Sequence, residues 1–190
     1  MRSSIDLNRR REELEWVEIL PGLEVPRSAT TWCGASFYWW ARVNNWQNVA
    51  EIGVRGGARS DGGASTMALL KAMNETGGVL HSVDIEDCFG VERMVSEAGL
   101  DKYWDFQVLD SHNQTPDHVK PASLDFLFID GDHSYEGVVK DAELWRPLVK
   151  PGGLIAYHDP LPCVGVERYV REQGFYVLHV GVSGLALENI

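Results

Sequence analysis

Basic residues are scarce in this chain. Seventeen Lys and Arg stand against 28 Asp and Glu, a formal net charge of −11. Neutralising phosphates takes clustered cations, so the chain is a poor candidate for a sequence-independent nucleic-acid binder. The basic run Arg9-Arg10-Arg11 is followed at once by Glu12 and Glu13 and reads as a solvated helix face. Cysteine is scarce too: Cys33, Cys88 and Cys163 form no CxxC pair. That argues against a zinc ribbon and a disulfide framework, and free thiols in a cytoplasmic protein are expected. No apolar run reaches the roughly 18 residues of a transmembrane helix, and the opening MRSSIDLNRRREELEW offers no signal-peptide core. Neither membrane nor nucleic acid is therefore expected as a partner. Internal repeats and low-complexity tracts are lacking.

What is present is an ordinary globular composition, 44% hydrophobic and 24% charged over 190 residues, enough to bury a full core. A boundary falls near Asn44–Asn48. Residues 1–45, rich in tryptophan (Trp32, Trp39, Trp40), read as a helical cap; Trp46 lies just past it. The tryptophans either pack on the sheet edge or form an apolar wall over a substrate. From residue 46 short apolar runs alternate with amphipathic segments. Strands are expected at 49–52, 79–83, 106–109, 124–129 and 154–157, with helices after Ser65, Val91, Ser134 and Val166. Two further strands, 175–180 and 185–188, flank Gly181–Gly184 as an antiparallel pair. The pattern reads as β-α repeated five times plus a terminal hairpin. It implies an α/β, doubly wound, mostly parallel seven-stranded sheet with a reversed edge strand. Ligands bind such sheets at the carboxyl ends of the strands.

Polar clusters fall at those ends. Glu51-Ile52-Gly53-Val54-Arg55-Gly56-Gly57 follows the first of these strands. Arg55 replaces the second glycine of a dinucleotide fingerprint, and no GK[ST] completes a P-loop. The turn is either purely structural or brings backbone close to a ligand. Asp84, ending the next strand, stands where a carboxylate holds ribose hydroxyls; an exposed turn acid is the other reading. Together the two features favour a nucleoside-bearing ligand without a pyrophosphate.

On the stretches EIGVRGG with AST, SVDI, FIDGDHSYEGVVKD and LVKPGGLIAYHD, the chain resembles the class I S-adenosylmethionine-dependent methyltransferases. Within them it is most similar to the small O-methyltransferase-type subgroup, methyltransferase family 24-like. The resemblance covers residues 46–190, read as the cofactor-binding domain. It implies methyl transfer from S-adenosyl-L-methionine to a hydroxyl of a small-molecule acceptor. It further implies that Glu51, Gly53 and Gly57 shape the methionine side of the cofactor site, that Asp84 holds the ribose, and that Ser111 lies beside the adenine. The segment Ala58–Gly63 is interposed before Ala64-Ser65-Thr66, so the carboxylate contact falls to Ser65 by its helix-start position, with Ser60 the alternative. Antibiotic hydroxylases with the same signatures, and a binding protein that has lost catalysis, are the competing implications.

Asp130, Asp132 and His133 follow the fourth strand of the alternation, and His158 and Asp159 follow the fifth. By resemblance to catechol-type methyltransferases, Asp130, His158 and Asp159 match metal-binding positions for Mg²⁺ or Mn²⁺, and His133 matches the general base. Asp130 is also assigned to the cofactor and catalytic sets. Alternatively, Asp130 and Asp159 cap helices and His133 packs at the cofactor rim. His81, His112, His118 and His179 have no such company in the sequence and read as structural or exposed. A homo-oligomer stays open at this level.

Overall fold

The computed structural model describes residues 16–20, 23–26, 31–54, 62–178 and 184–190, with side chains from Cys33 onward. Gly57, Ser60 and His179, and the side chain of Trp32, lie outside the described part. The elements in chain order are β1 (Trp16–Leu20), β2 (Leu23–Pro26), α1 (Thr31–Val43), β3 (Asn48–Ile52), α2 (Ala64–Thr76), β4 (Val79–Asp84) and α3 (Phe89–Glu97). They continue with β5 (Trp104–Val108), β6 (Leu124–Ile129), α4 (Tyr135–Trp145), β7 (Val149–His158), α5 (Val164–Gln173), β8 (Tyr176–Leu178) and β9 (Leu185–Asn189).

The main sheet has seven strands in the order β5-β4-β3-β6-β7-β9-β8. β3 to β7 run parallel, and β9 lies antiparallel to both β7 and β8. This is the expected doubly wound α/β sheet with its reversed strand. The order reverses between β3 and β6, a topological switch point where a crevice opens above the strand ends.

Two expectations are corrected. The N-terminal part is not wholly helical, because β1 and β2 pair as an antiparallel ribbon before α1. And β-α does not repeat five times: residues 109–123, between β5 and β6, form turns and contain no helix.

The central strand shows why the sheet sits where it does. Every residue of β6, LDFLFI, is buried. Phe126 and Phe128 face one apolar layer with Phe37 of α1, and Leu127 and Ile129 face the other with Val138 and Trp145 of α4. Trp46 stacks on Phe126 at 4.7 Å and 10° between planes, so this tryptophan is core. Trp39 is half exposed. The buried Asp125 accepts from the Gln47 and Asn48 amides and pairs with Lys150. That cluster ties the amino ends of β3, β6 and β7 together. Among the described residues no helix is long and apolar enough to cross a membrane.

Candidate active site

A cavity of about 430 Å³ opens at the carboxyl ends of β3, β4, β5 and β6. Ile52, Gly53, Asp84, Ser111, Asp130 and His133 line it, so five of the sequence-predicted site residues meet there with Ile52. Leu109, Asp110, His112 and Asp132 line it as well.

The geometry starts with a glycine. Gly53 has φ +86°, and a Cβ there would lie 2.2 Å from the Asp130 carbonyl oxygen. Only a residue without a side chain lets the ends of β3 and β6 come this close. The turn after β3 then aims the Val54 amide at Asp84 Oδ2, 2.8 Å away, and the Glu86 amide reaches Asp84 Oδ1 at 3.0 Å. Two backbone donors thus fix the Asp84 carboxylate at the cavity wall. On the adjoining side, Trp145 Nε1 donates to the Ser111 carbonyl and the His112 amide donates to Asp110 Oδ1. His112, expected to be structural or exposed, is a wall residue whose Nε2 lies 3.8 Å from the fully buried Asp141. The loop after β5 carries it there, and no spacing in the sequence announces that.

Glu51 and Ser65 stand apart from the cavity lining. Glu51 is fully buried and Ser65 nearly so, and neither lines the cavity. Ser65 Oγ donates to Glu51 Oε1 at 2.5 Å, Thr66 Oγ1 donates to Oε2 at 2.8 Å, and Ser82 Oγ donates to Oε2 at 3.1 Å. Burial pushes the Glu51 carboxyl up to about 7 in spite of these three hydroxyls. Their shared role here is to anchor the first turn of α2 to β3.

Asp130 ends β6 between two imidazoles. His158 Nδ1 lies 2.7 Å and His133 Nε2 3.1 Å from the same oxygen, Asp130 Oδ1. Burial raises the Asp130 carboxyl, but hydrogen bonds from His133 and His158, with their charges, together outweigh it and hold it below the usual carboxylate range. His133 presents its other nitrogen, Nδ1, to Cys163 Sγ at 3.4 Å and to Asp159 Oδ2 at 3.7 Å. Asp159 itself sits in the left-handed region, φ 57°, at the end of β7. Neither acid caps a helix: Ser134 caps α4, its hydroxyl accepting from the Gly137 amide. The Cys33 thiol of α1, buried beside Asp130 and Asp159, is pushed up to about 12, first by burial and then by those two charges.

The expected metal trio is corrected. His158 shows Nδ1 to Asp130 and Nε2, at 3.5 Å, to Asp159, so opposite edges of one ring meet the two acids and the three do not converge on one ion. The groups that do converge are Asp130, His133 and His158, one carboxylate oxygen with two imidazole nitrogens. Mg²⁺ prefers an octahedron of oxygens. These residues do not fit Mg²⁺; one carboxylate oxygen with two imidazole nitrogens suits a softer divalent ion or the handling of a proton.

A family model described as a methyltransferase domain matches residues 50–160, more than half of the chain. The chain belongs to this methyltransferase family. Solved structures place its fold. The O-methyltransferase TomG of Streptomyces achromogenes, described in complex with S-adenosylmethionine and as involved in tomaymycin synthesis, is 19% identical at a TM-score of 0.61, covering 94% of this chain and 85% of that one. The Bacillus cereus O-methyltransferase in complex with S-adenosylhomocysteine is 17% identical at 0.60, covering 85% and 80%. The S-adenosylhomocysteine-bound methyltransferase PaMTH1 of Podospora anserina is 12% identical at 0.62, covering 83% and 77%. At such identities these likenesses establish the class I methyltransferase fold. Two curated relatives match short stretches: y4gI of Sinorhizobium fredii is 36% identical over 61 residues, and a protein of Acanthamoeba polyphaga mimivirus is 46% identical over 39. The stretches this methyltransferase-family chain matches span 6% and 18% of those proteins.

Proposed function

We propose that the chain transfers a methyl group from S-adenosylmethionine to a hydroxyl of a small-molecule acceptor. The observation that carries this is one cavity with two unlike ends: an amide-fixed carboxylate, Asp84, at one, and the His133–Asp130–His158 array at the other. Membership of the methyltransferase family supports the reaction, and the solved neighbours described as O-methyltransferases support oxygen as the acceptor atom.

S-adenosylmethionine, when bound, supplies an electrophilic methyl on a positive sulfonium. Everything else falls to the chain. Asp84, fixed through each oxygen by a backbone amide, presents its carboxylate to the ribose hydroxyls. Asp84, Asp110, Asp130 and Asp132 give the cavity a negative field that favours a cation. Asp130 accepts the Nε2 proton of His133 and so leaves Nδ1 as the basic atom. The acceptor hydroxyl gives its proton to that nitrogen, competing for it with the Cys163 thiol, a weak donor. Asp130 and Asp159 stabilise the resulting imidazolium, as a buried acid does for histidine in hydrolytic triads.

The test is a thermal scan with S-adenosylmethionine and S-adenosylhomocysteine, followed by a labelled-methyl assay over a panel of phenols, polyketides and sugars. At one hundred times Kd, ligand linkage stabilises by about 2.7 kcal/mol, and Asp84→Ala removes most of that shift. No shift with either ligand, or a shift with a nicotinamide dinucleotide in their place, would overturn the reading. Oxygen uptake without methyl transfer would replace it with a hydroxylase.

A further inference from the structure

A second cluster lies away from the cavity, toward the amino ends of the strands. His81 is the third residue of β4 and pairs in register with Asp105 of β5. His118 reaches the same point from the connection between β5 and β6. His81 Nδ1 is 2.8 Å and His118 Nε2 is 2.7 Å from a single atom, Asp105 Oδ2, and the two nitrogens are 3.3 Å apart.

The hydrogen bonds around this cluster orient its donors. Ser123 Oγ donates to the Lys120 carbonyl, so toward Asn48 it acts as an acceptor. The Ser123 carbonyl is an acceptor by nature. Both receive Asn48 Nδ2, at 3.2 and 3.1 Å, which fixes the orientation of that amide. Asn48 Oδ1 then faces His81 Nε2 at 2.8 Å, so the imidazole carries a proton on Nε2. With Nε2 turned to the Asn48 oxygen, Nδ1 is the nitrogen left to bind a ligand, and it faces Asp105 Oδ2 at 2.8 Å. His118 Nε2 meets the same oxygen at 2.7 Å. Three donor atoms from three separate segments thus converge on one point.

We propose that His81, Asp105 and His118 bind a divalent transition-metal ion, with Zn²⁺ the best match. The donors suit it: two imidazole nitrogens and a carboxylate oxygen, with a fourth position for water. At bond lengths of about 2.0–2.1 Å, tetrahedral donors stand roughly 3.3 Å apart, which is the spacing the two nitrogens already have. The carboxylate oxygen has to withdraw by about half an ångström, and Asp105 is a third exposed, free to do so. The neighbouring shell is also built, since a metal-bound histidine ordinarily donates its other N–H to a fixed acceptor, here Asn48 Oδ1. His118 is half exposed, so the ion can enter from solvent. Once bound, the ion pins the 109–123 connection to β4 and β5, and the first residues of that connection, Leu109 to His112, wall the cavity.

The test uses the full chain stripped with a chelator. Zn²⁺ is titrated calorimetrically, and Co²⁺ is followed by the visible bands of a four-coordinate site. His118→Ala and Asp105→Asn, each checked for folding by circular dichroism, are expected to lose the Co²⁺ bands and weaken Zn²⁺ at least tenfold. Asn48→Ala, which removes no ligand, is expected to weaken it about 10–100-fold. His133→Ala, at the other end of the molecule, is expected to keep the bands. Unchanged Zn²⁺ affinity and bands in both His118→Ala and Asp105→Asn would overturn the assignment, as would loss of the bands in His133→Ala alone.

Discussion

The backbone of Gly53 rests against the carbonyl of Asp130. A Cβ on Gly53 would stand 2.2 Å from that oxygen. The contact joins the two strand ends at the switch point of the sheet. Ile52 O accepts from the Asp130 amide at 2.9 Å, and the Gly53 amide donates to Val83 O at 2.8 Å. The residue implied to shape the cofactor site and the residue at the centre of the histidine array are therefore held by one piece of backbone.

Gly53→Ala is expected to damage both ends of the cavity. The left-handed φ costs an alanine about 1 kcal/mol, and the overpacking against backbone adds about 1–3 kcal/mol. For a chain of this size that is a fall in Tm of roughly 5–15 °C, read in a thermal melt. Binding of S-adenosylhomocysteine by the folded fraction should weaken as well. A melt superimposable on the parent's would mean that the two strand ends have slack that the 2.2 Å approach denies.

The second prediction concerns Glu51 and the pH dependence of stability. Its carboxyl stands at about 7 in the folded chain, against 4.5 as its ordinary value. Below pH 4.5 both folded and unfolded states hold the proton, so the group costs nothing. Between 4.5 and 7 the unfolded state has released the proton while the folded state keeps it, and stability falls as pH rises. Above 7 the full penalty, about 3 kcal/mol, is in place. Glu51→Gln keeps the shape and removes the titration. Its stability relative to the parent should therefore rise between pH 5 and pH 8, measured by urea unfolding at each pH. A difference that stays constant across that range would show that the carboxyl titrates normally.

How much of this was legible in the sequence depends on the range of the signal. The strands of the main sheet declare themselves locally, by apolar runs that end in Gly53, Asp84 and Asp130. Those ends were enough to place the cavity. The β1–β2 ribbon was within reach: Pro21-Gly22 separates WVEIL from LEVP, a turn signal between two strand-like runs that the tryptophan-rich surroundings obscured. The His81–Asp105–His118 cluster was not. Its members are 24 and 13 residues apart in sequence and meet only because β4 and β5 pair in register and the connection after β5 folds back. Ser65 shows a third kind of limit. A serine at a helix start suggests a ligand contact, but the spacing cannot reveal that a buried glutamate beneath the helix already accepts its proton.

The last prediction divides the work at the histidine array. Asp130 Oδ1 receives both His133 and His158, but of these two rings only His133 lines the cavity. His133→Ala should thus lower kcat by roughly 10²–10⁴-fold, the usual contribution of a general base, and should erase the acid limb of the pH–rate profile. His158→Ala removes a buried partner of Asp130 and so should act through position. Its kcat loss should be smaller, and the acid limb should persist, because His133 still accepts the proton. Cys163→Ala removes the thiol that stands 3.4 Å from His133 Nδ1 and competes with the acceptor for that nitrogen. It should leave S-adenosylmethionine binding unchanged and hold or raise kcat. The three variants are compared by single-turnover methyl transfer across pH. A His133→Ala enzyme that keeps its acid limb, beside a His158→Ala enzyme that loses it, would move the base one residue along the array to the other imidazole on Asp130.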